Sequence, residues 1–286
     1  MLDVVRLRVL DAVARKGSVT AAARELHYSQ PSVSHHLARL EAETGARLVQ
    51  RVGRGIRLTE TGRLLAARAA DILARLDATA DELAAHVGLR SGRVRLAAFP
   101  SALGTFVPAA VTRLARDHPG LELRLTETEP PEALRLLRAG RADVAVVFRY
   151  DDTAPEDDGI TMVHLLDDPS MLVTPGEPGD LTAYADADWI AGCDRCRSHL
   201  LDLCAKAGFA PRLSFTSDDI VAVQALVAAG MGVTVLPGLA LRAHRHPDVA
   251  VTEIPGSTRH VYAAVYGEPP HPPGTEALLK ALWSGL

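Results

Sequence analysis

The chain has 286 residues, 48% of them apolar and 23% charged, the balance of a soluble globular protein rather than a disordered or fibrous one. That length suits about two domains of ordinary size, each with its own core. The net charge of -4 argues against nucleic acid as a partner for the whole chain, yet residues 1–90 hold 14 Lys and Arg against 10 Asp and Glu, and the remainder 17 against 25. A modestly basic head on an acidic body suggests a polyanion partner for the head alone; an excess of this size is also an ordinary fluctuation. Asp3, Arg6, Arg8 and Asp11 break up the apolar residues of the start, unlike a secretory leader. Residues 221–241 are the most membrane-like run, but Gln224, Gly230, Gly232, Thr234 and Pro237 interrupt it, so a cytoplasmic protein without a membrane span is expected.

In chain order, residues 4–15 place Val5, Val9 and Ala12 or Val13 at helical spacing, and Gly17 ends that helix as a left-handed residue would. Ser18 caps a second helix over 19–26, whose Ala21, Ala22 and Ala23 let another helix approach closely. Ser29 is the next N-cap, Pro31 suits a first turn, and Val33, Leu37 and Leu40 form an apolar stripe. Polar side chains are left on the outward N-terminal turns of this third helix. Hydroxyls and an amide in that position, after a tight turn, offer donors and acceptors to base edges while helix N–H groups approach phosphate. The segment reads as a helix-turn-helix touching DNA through Ser29, Gln30, Pro31, Ser32, Ser34 and His35.

Residues 45–62 give two short runs around Gly53 and Gly55, a hairpin carrying Arg47, Arg51, Arg54 and Arg57. It reads as a wing whose Arg51 and Arg54 meet phosphate or the minor groove; a solvated hairpin face is the plainer alternative. From residue 60 to about 88 the pattern is helical, with Leu65, Ile72, Leu76, Ala80, Leu83 and Val87 near one stripe. Such a helix would extend ~40 Å at about 1.5 Å per residue, and a twin helix in a dimer, met through Leu65, Ile72, Leu76 and Leu83, is its natural partner.

Beyond it, a strand at 93–99, a helix from Ser101 to about 116, a strand at 121–127, a helix at 132–139 and a strand at 142–148 alternate. A second block has strands near 171–173 and 189–191, a helix at 198–207, a strand at 213–216, a helix at 219–229 and a strand at 233–236; a strand at 261–266 and a helix at 275–283 close the chain. Such alternation means parallel sheets with helices on their faces. Ligands in such sheets sit beyond the carboxyl ends of the strands. Pro100, Ser101, Thr128, Phe148, Arg149, Gly192, Cys193, Ser217, Asp218 and Pro237 are placed there. Ser101 at a helix start and Arg149 after a strand suit a carboxylate or similar anion, although Ser101 and Ser217 equally suit plain helix caps.

Nothing points to an enzyme or to catalytic residues: there is no G-x-S-x-G and no phosphate-binding G-x-x-x-x-G-K-[ST], and Gly53-Arg54-Gly55 and Gly230-Met231-Gly232 both lack a third glycine. The eleven His are scattered, with His244 and His246 in a polar loop. All three cysteines fall in "CDRCRSHLLDLC". The C-x-x-C of Cys193 and Cys196, flanked by Arg195 and Arg197, raises thiol-redox or metal-responsive regulation as an alternative. Cys204, beside Leu200, Leu201 and Leu203, reads as core.

Gly17-Ser18-Val19-Thr20-Ala21-Ala22, Leu26, Ser29-Gln30-Pro31, Val33-Ser34, Leu40-Glu41, Gly45, Leu48, Arg51, Leu58-Thr59 and Gly62 together resemble the N-terminal signature of the LysR-type transcriptional regulators. The resemblance implies an α/β protein overall. Its parts would be a winged helix-turn-helix over 1–60, a dimerising linker helix over 61–90 and an effector domain over 91–286 resembling periplasmic binding proteins. Lobe I of that domain would cover about 91–163 plus 266–286, and lobe II about 164–265. The partners implied are a partly symmetric site in double-stranded promoter DNA, a small-molecule effector, for which Ser101 and Arg149 suggest an anion, and further copies of the chain in a homodimer or homotetramer. No cofactor and no metal are implied. Two positions depart from the pattern: Val49 stands where the family usually has Phe, which costs packing, and His35 where it often has Arg, which alters the base contact there.

Overall fold

The computed structural model describes residues 2–52, 55–86, 92–151, 153 and 159–284. The chain divides into two compact units, Met1–Gly88 with Ala139–Arg141, and Leu89–Arg138 with Ala142–Leu286.

In the first unit, α1 (Val4–Lys16) is capped by Asp3, which accepts the Arg6 N–H at 3.1 Å, and ends at Gly17, whose φ of 63° is a conformation that L side chains rarely adopt. Ser18 caps α2 (Val19–Glu25) and Ser29 caps α3 (Gln30–Thr44), accepting the N–H of Ala21 at 3.4 Å and of Ser32 at 3.3 Å. Leu7, Leu10, Val13, Ala22, Val33, Leu37, Leu40 and Leu48 close one core between the three helices, and the half-buried Val49 packs against it where the larger Phe was expected. The hairpin of β1 (Val49–Val52) and β2 (Gly55–Leu58) is tied to α3 by Glu41, whose carboxylate accepts the N–H groups of Leu48 and Val49 at 2.7 and 3.2 Å. α4 (Glu60–His86) begins so close to this hairpin that a Cβ on Gly62 would lie 2.0 Å from the Leu48 carbonyl oxygen, so only glycine fits. Ala66 and Ala69 of α4 are buried on the head's core. One expectation is corrected here. Leu65 packs against that same core rather than standing free for a twin helix, because the first turns of α4 are docked on the head. Ile72 and Leu76 remain 40% and 44% exposed. The Leu83 side chain lies outside the described residues, as do the side chains of Ala80 and Val87.

The second unit opens with β3 (Gly92–Ala98), α5 (Pro100–Leu103), α6 (Val107–Asp117), β4 (Leu121–Glu127), α7 (Pro130–Arg138) and β5 (Val144–Arg149). β3 pairs in parallel with both β4 and β5. The single helix expected from Ser101 to about 116 is two. Pro108, in the first turn of α6, has no N–H for a carbonyl one turn back, so the chain breaks at Gly104–Phe106 and restarts.

There follow β6 (Ile160–Pro175), a 3-10 turn at Thr182–Tyr184, β7 (Asp188–Ala191), α8 (Asp194–Lys206), β8 (Arg212–Thr216) and α9 (Ile220–Ala228). β9 (Val233–Pro237), α10 (Gly238–Ala243), β10 (Val249–Tyr266) and α11 (Pro273–Trp283) complete the unit. The strand order is β4-β3-β5-β10-β6-β9-β7-β8. The expected strands at 171–173 and 261–266 are the ends of far longer ones, of 16 and 18 residues, that run antiparallel to each other and cross between two halves of the sheet. Residues 260–264 of β10 pair with β5, while residues 170–173 of β6 pair with β9. The β6–β10 register is broken between Glu253 and Thr258. The crossings therefore fall near residues 169 and 257 instead of 163 and 265. Buried side chains cover both faces of each half: Leu96, Phe99 and Phe148 against Leu134 and Val147 in one, Trp189 and Leu200 against Val173 and Val223 in the other. That is the arrangement required where parallel strands are joined by crossover helices, as β3, β4 and β5 are in one half and β7, β8 and β9 in the other.

Candidate nucleic-acid interface and effector cleft

The N-terminal turns of α3 stand over a groove of about 870 Å³ in the first unit. Gln30 and Ser34 line it together with Ser18 and Thr20 at the start of α2 and with Arg47 and Gln50 from the hairpin. Ser29, Pro31 and His35 are exposed but do not line it, and the Ser29 hydroxyl is spent on the Ser32 N–H. Ser32 is half-buried. Arg54 lies outside the described residues, as does the Arg51 side chain. The groove is lined by two amides, four hydroxyls counting Thr59, the Glu41 carboxylate and one guanidinium on adjoining elements, an arrangement able to meet base edges and a phosphate at once.

In the second unit a cavity of about 50 Å³ opens beyond the strand ends, between the two halves of the sheet. Of the ten residues expected in such a cleft, it brings together eight: Pro100, Ser101, Phe148, Gly192, Cys193, Ser217, Asp218 and Pro237. Thr128 and Arg149 are not among its lining. Side chains alternate along β5, so Phe148 faces the cleft and Arg149 shares the opposite face with Val147. The arginine in the cavity wall is Arg259, from β10. Its Nε and Nη2 each reach Asp168 Oδ2 at 2.8 Å, its Nη2 donates to Ser101 Oγ at 2.7 Å, and its guanidinium lies over the rings of Phe148 and Phe99 at 4.5 and 4.8 Å. Asp168 in turn accepts the Leu239 N–H at 2.8 Å at the start of α10. Both charged side chains are only 3% exposed. Ser101 thus holds Arg259 and caps no helix, whereas Ser217 accepts the Asp219 N–H in the turn before α9. Arg195 of α8 donates to the Phe148 carbonyl at 2.6 Å, across the cleft.

The C-x-x-C pair sits in the same wall. Cys193 is the N-cap of α8, and its Sγ lies 3.0 Å from that of Cys196. The thiol donated by Cys193, helped by the charge of Arg259, holds Cys196 below the usual thiol range, while Cys193 is pushed well above it. Arg259, not the neighbouring Arg195 and Arg197, supplies that charge. Burial raises the carboxyls of Glu129 and Asp218 beside them, and Glu129 Oε2 is buried with no hydrogen-bond partner. Glu129, Cys193 and Asp218 bring one donor atom each within 4.8 Å of one another. Cys204 is fully buried, and burial lifts its thiol to about 11.

Residues 4–63 match the family model of the bacterial regulatory helix-turn-helix protein of the lysR family, and residues 88–286 match the LysR substrate binding domain. The chain belongs to the LysR family of transcriptional regulators. A probable hydrogen peroxide-inducible genes activator of Mycobacterium avium is 34% identical over 242 residues, 81% of this chain and 76% of the relative. An uncharacterized HTH-type transcriptional regulator of Bacillus subtilis, YcgK, is 27% identical over 93% of this chain and 89% of its own. Among solved structures, CbnR, a LysR family transcriptional regulator, superposes with a TM-score of 0.73 at 23% identity over 99% of each chain, a likeness of fold. Membership makes the protein a regulator of transcription and not an enzyme. Among its described residues no helix is long and apolar enough to cross a membrane.

Among the polar residues of this LysR-family cleft, sequence reasoning did not place Glu129, Cys196 or Arg259, nor Asp168 behind Arg259, and it left out the groove residues Ser18, Thr20 and Gln50. Cys196 carried a signal in its C-x-x-C spacing. Arg259 and Asp168 carried none, since a charged residue inside a strand declares itself only when its partner 91 positions away is brought opposite it.

Proposed function

We propose that this LysR-family regulator acts in the cytoplasm on a partly symmetric promoter site as a homodimer or homotetramer, and changes its grip when its effector cleft takes up a small molecule. On this reading a DNA-binding head over 1–60, a dimerising helix over 61–90 and an effector domain over 91–286 divide the work. Gln30, Ser34 and His35 read base edges, Ser29, Pro31 and Ser32 set the start of α3, and Arg47, Arg51 and Arg54 meet phosphate or minor groove. The observation that carries the reading is the shared groove of Gln30, Ser34, Arg47 and Gln50. Replacing Gln30 by Ala should relax sequence preference, because an amide lost from a base edge leaves phosphate contacts intact. Arg47→Ala should weaken binding to all sequences alike and reduce the salt slope by about one. Binding isotherms on promoter and scrambled duplexes at several salt concentrations decide it; equal losses on both duplexes for Gln30→Ala would remove that residue from base reading.

The effector is a small molecule of anionic character that meets Ser101 and Arg259. The cleft in this conformation is far below the roughly 300–1,000 Å³ of metabolite pockets, so uptake requires the lobes to part about β6 and β10.

The approach of Cys193 to Cys196 favours a second reading, in which a peroxide is the effector. Two thiols would give up two electrons and their two protons to one peroxide, whose O–O bond breaks as the Cys193–Cys196 disulfide forms, releasing two waters from hydrogen peroxide or one water and one alcohol from an alkyl hydroperoxide. The relative from Mycobacterium avium is named as a probable activator of hydrogen peroxide-inducible genes. Mild oxidant should then alter promoter affinity in the wild type and leave Cys193→Ser with Cys196→Ser unmoved. Oxidant-insensitive binding by the wild type leaves the pair as cleft lining and the first reading alone.

A further inference from the structure

On the face of β6 and β10 opposite the cleft, three potential metal ligands converge. His164 Nε2 lies 2.8 Å and His260 Nδ1 2.7 Å from one oxygen, Asp167 Oδ1, and the three donor atoms all lie within 4.8 Å of one another. Their convergence depends on an irregularity in the strand pair. Val261 is opposite Leu166 and Tyr262 opposite His164, so Leu165 is an extra residue on β6. Without it, strict alternation would send His164 and Asp167 to opposite faces. The bulge turns Leu165 inward, where it is buried in the core, and both polar residues outward beside His260.

We propose that His164, Asp167 and His260 bind one divalent transition-metal ion, zinc foremost. Two imidazoles and a carboxylate are a borderline ligand set suited to zinc, nickel, cobalt or copper, and unsuited to magnesium or calcium. Ligand bonds of about 2.0–2.2 Å call for donor separations near 3.4 Å in a tetrahedron, so each side chain shifts by about half an ångström from its present place. The exposed position leaves the remaining coordination to water. The arrangement behind the ligands matches as well: His260 uses its other nitrogen, Nε2, on Asp151 Oδ1 at 3.2 Å. A carboxylate behind a ligating imidazole fixes its tautomer and orientation and raises its basicity. Asp167 and His260 are register partners, and the next pair along is Asp168 and Arg259 of the cleft wall. A bound ion would therefore tie together the two strands that cross between the lobes, at the point where they cross.

Untagged full-length protein titrated with Co²⁺ should take up one ion per chain with a visible absorption band that zinc abolishes. His260→Ala and His164→Gln, the latter keeping a hydrogen-bond donor beside Asp167, should each lower affinity on the order of 100-fold, and Asp151→Asn about tenfold. Cys193→Ser with Cys196→Ser should bind as the wild type does, which separates this site from the thiols. Thermal unfolding in chelator gives each variant its own metal-free reference. Zinc should raise the transition of the wild type but not that of His164→Gln. No uptake at micromolar free metal, uptake undiminished by His260→Ala and His164→Gln, or uptake lost with the cysteines would each overturn the site.

Discussion

Asp168→Ala should destabilise the effector domain by about 3–5 kcal/mol, because it leaves Arg259 charged, buried and without its carboxylate. For a unit of this size each kcal/mol shifts the midpoint by roughly 2–4 °C, so a fall on the order of 10 °C is expected in thermal unfolding of the full chain. The same substitution removes the acceptor of the Leu239 N–H and so loosens the start of α10. Arg259→Met with Asp168→Leu removes both charges and keeps most of the volume. Since the gain of a buried pair over apolar isosteres is small, the double variant should regain most of the lost stability. A midpoint for Asp168→Ala within a degree or two of the wild type would mean that Ser101 and the two phenylalanine rings hold Arg259 without it. The prediction reaches beyond stability. The Asp168–Arg259 pair joins β6 to β10, and through Ser101 and Leu239 it also fastens α5 in one lobe and α10 in the other. Loss of the pair should therefore also change how the lobes part.

The head was the most legible part of the sequence, for reasons that are local. Caps such as Ser18 and Ser29, the left-handed Gly17 and the stripe of Val33, Leu37 and Leu40 act within a turn or two of their own position, so spacing alone reveals them. Most of the cleft was legible too, because strand ends and helix starts can be marked without knowing the sheet order. What escaped notice lies on β6 and β10. Asp167-Asp168-Pro169 and Pro255-Gly256 are turn residues by composition, yet both lie within long strands whose pairing is irregular and whose charges are satisfied across the sheet. Placing Arg149 in the cleft overlooked the period of two along β5, which gives the cleft side to Phe148. In the dimerising stripe, Leu65 is half-buried on the head's own core, a contact that helical spacing alone does not reveal.

Ile72 and Leu76 are the part of that stripe left uncovered, and they carry the second large effect. They sit 40% and 44% exposed, one turn apart on α4, where a lone surface helix would carry polar residues. Two such faces packed against each other would bury both pairs, and burying a large apolar side chain fully contributes about 1.5–3 kcal/mol. Leu76→Glu should place a carboxylate in that seam with no partner, at a cost of several kcal/mol on each side of a symmetric contact. The expected result is a monomer by sedimentation at concentrations where the wild type is a dimer. Promoter affinity should fall to that of a half-site, because one head then binds without the second held in register. Leu65→Ala serves as the contrast. It should lower the stability of the head and leave the oligomer in place, since Leu65 packs on the head's own core. An unchanged oligomer for Leu76→Glu would move the interface off this face of α4.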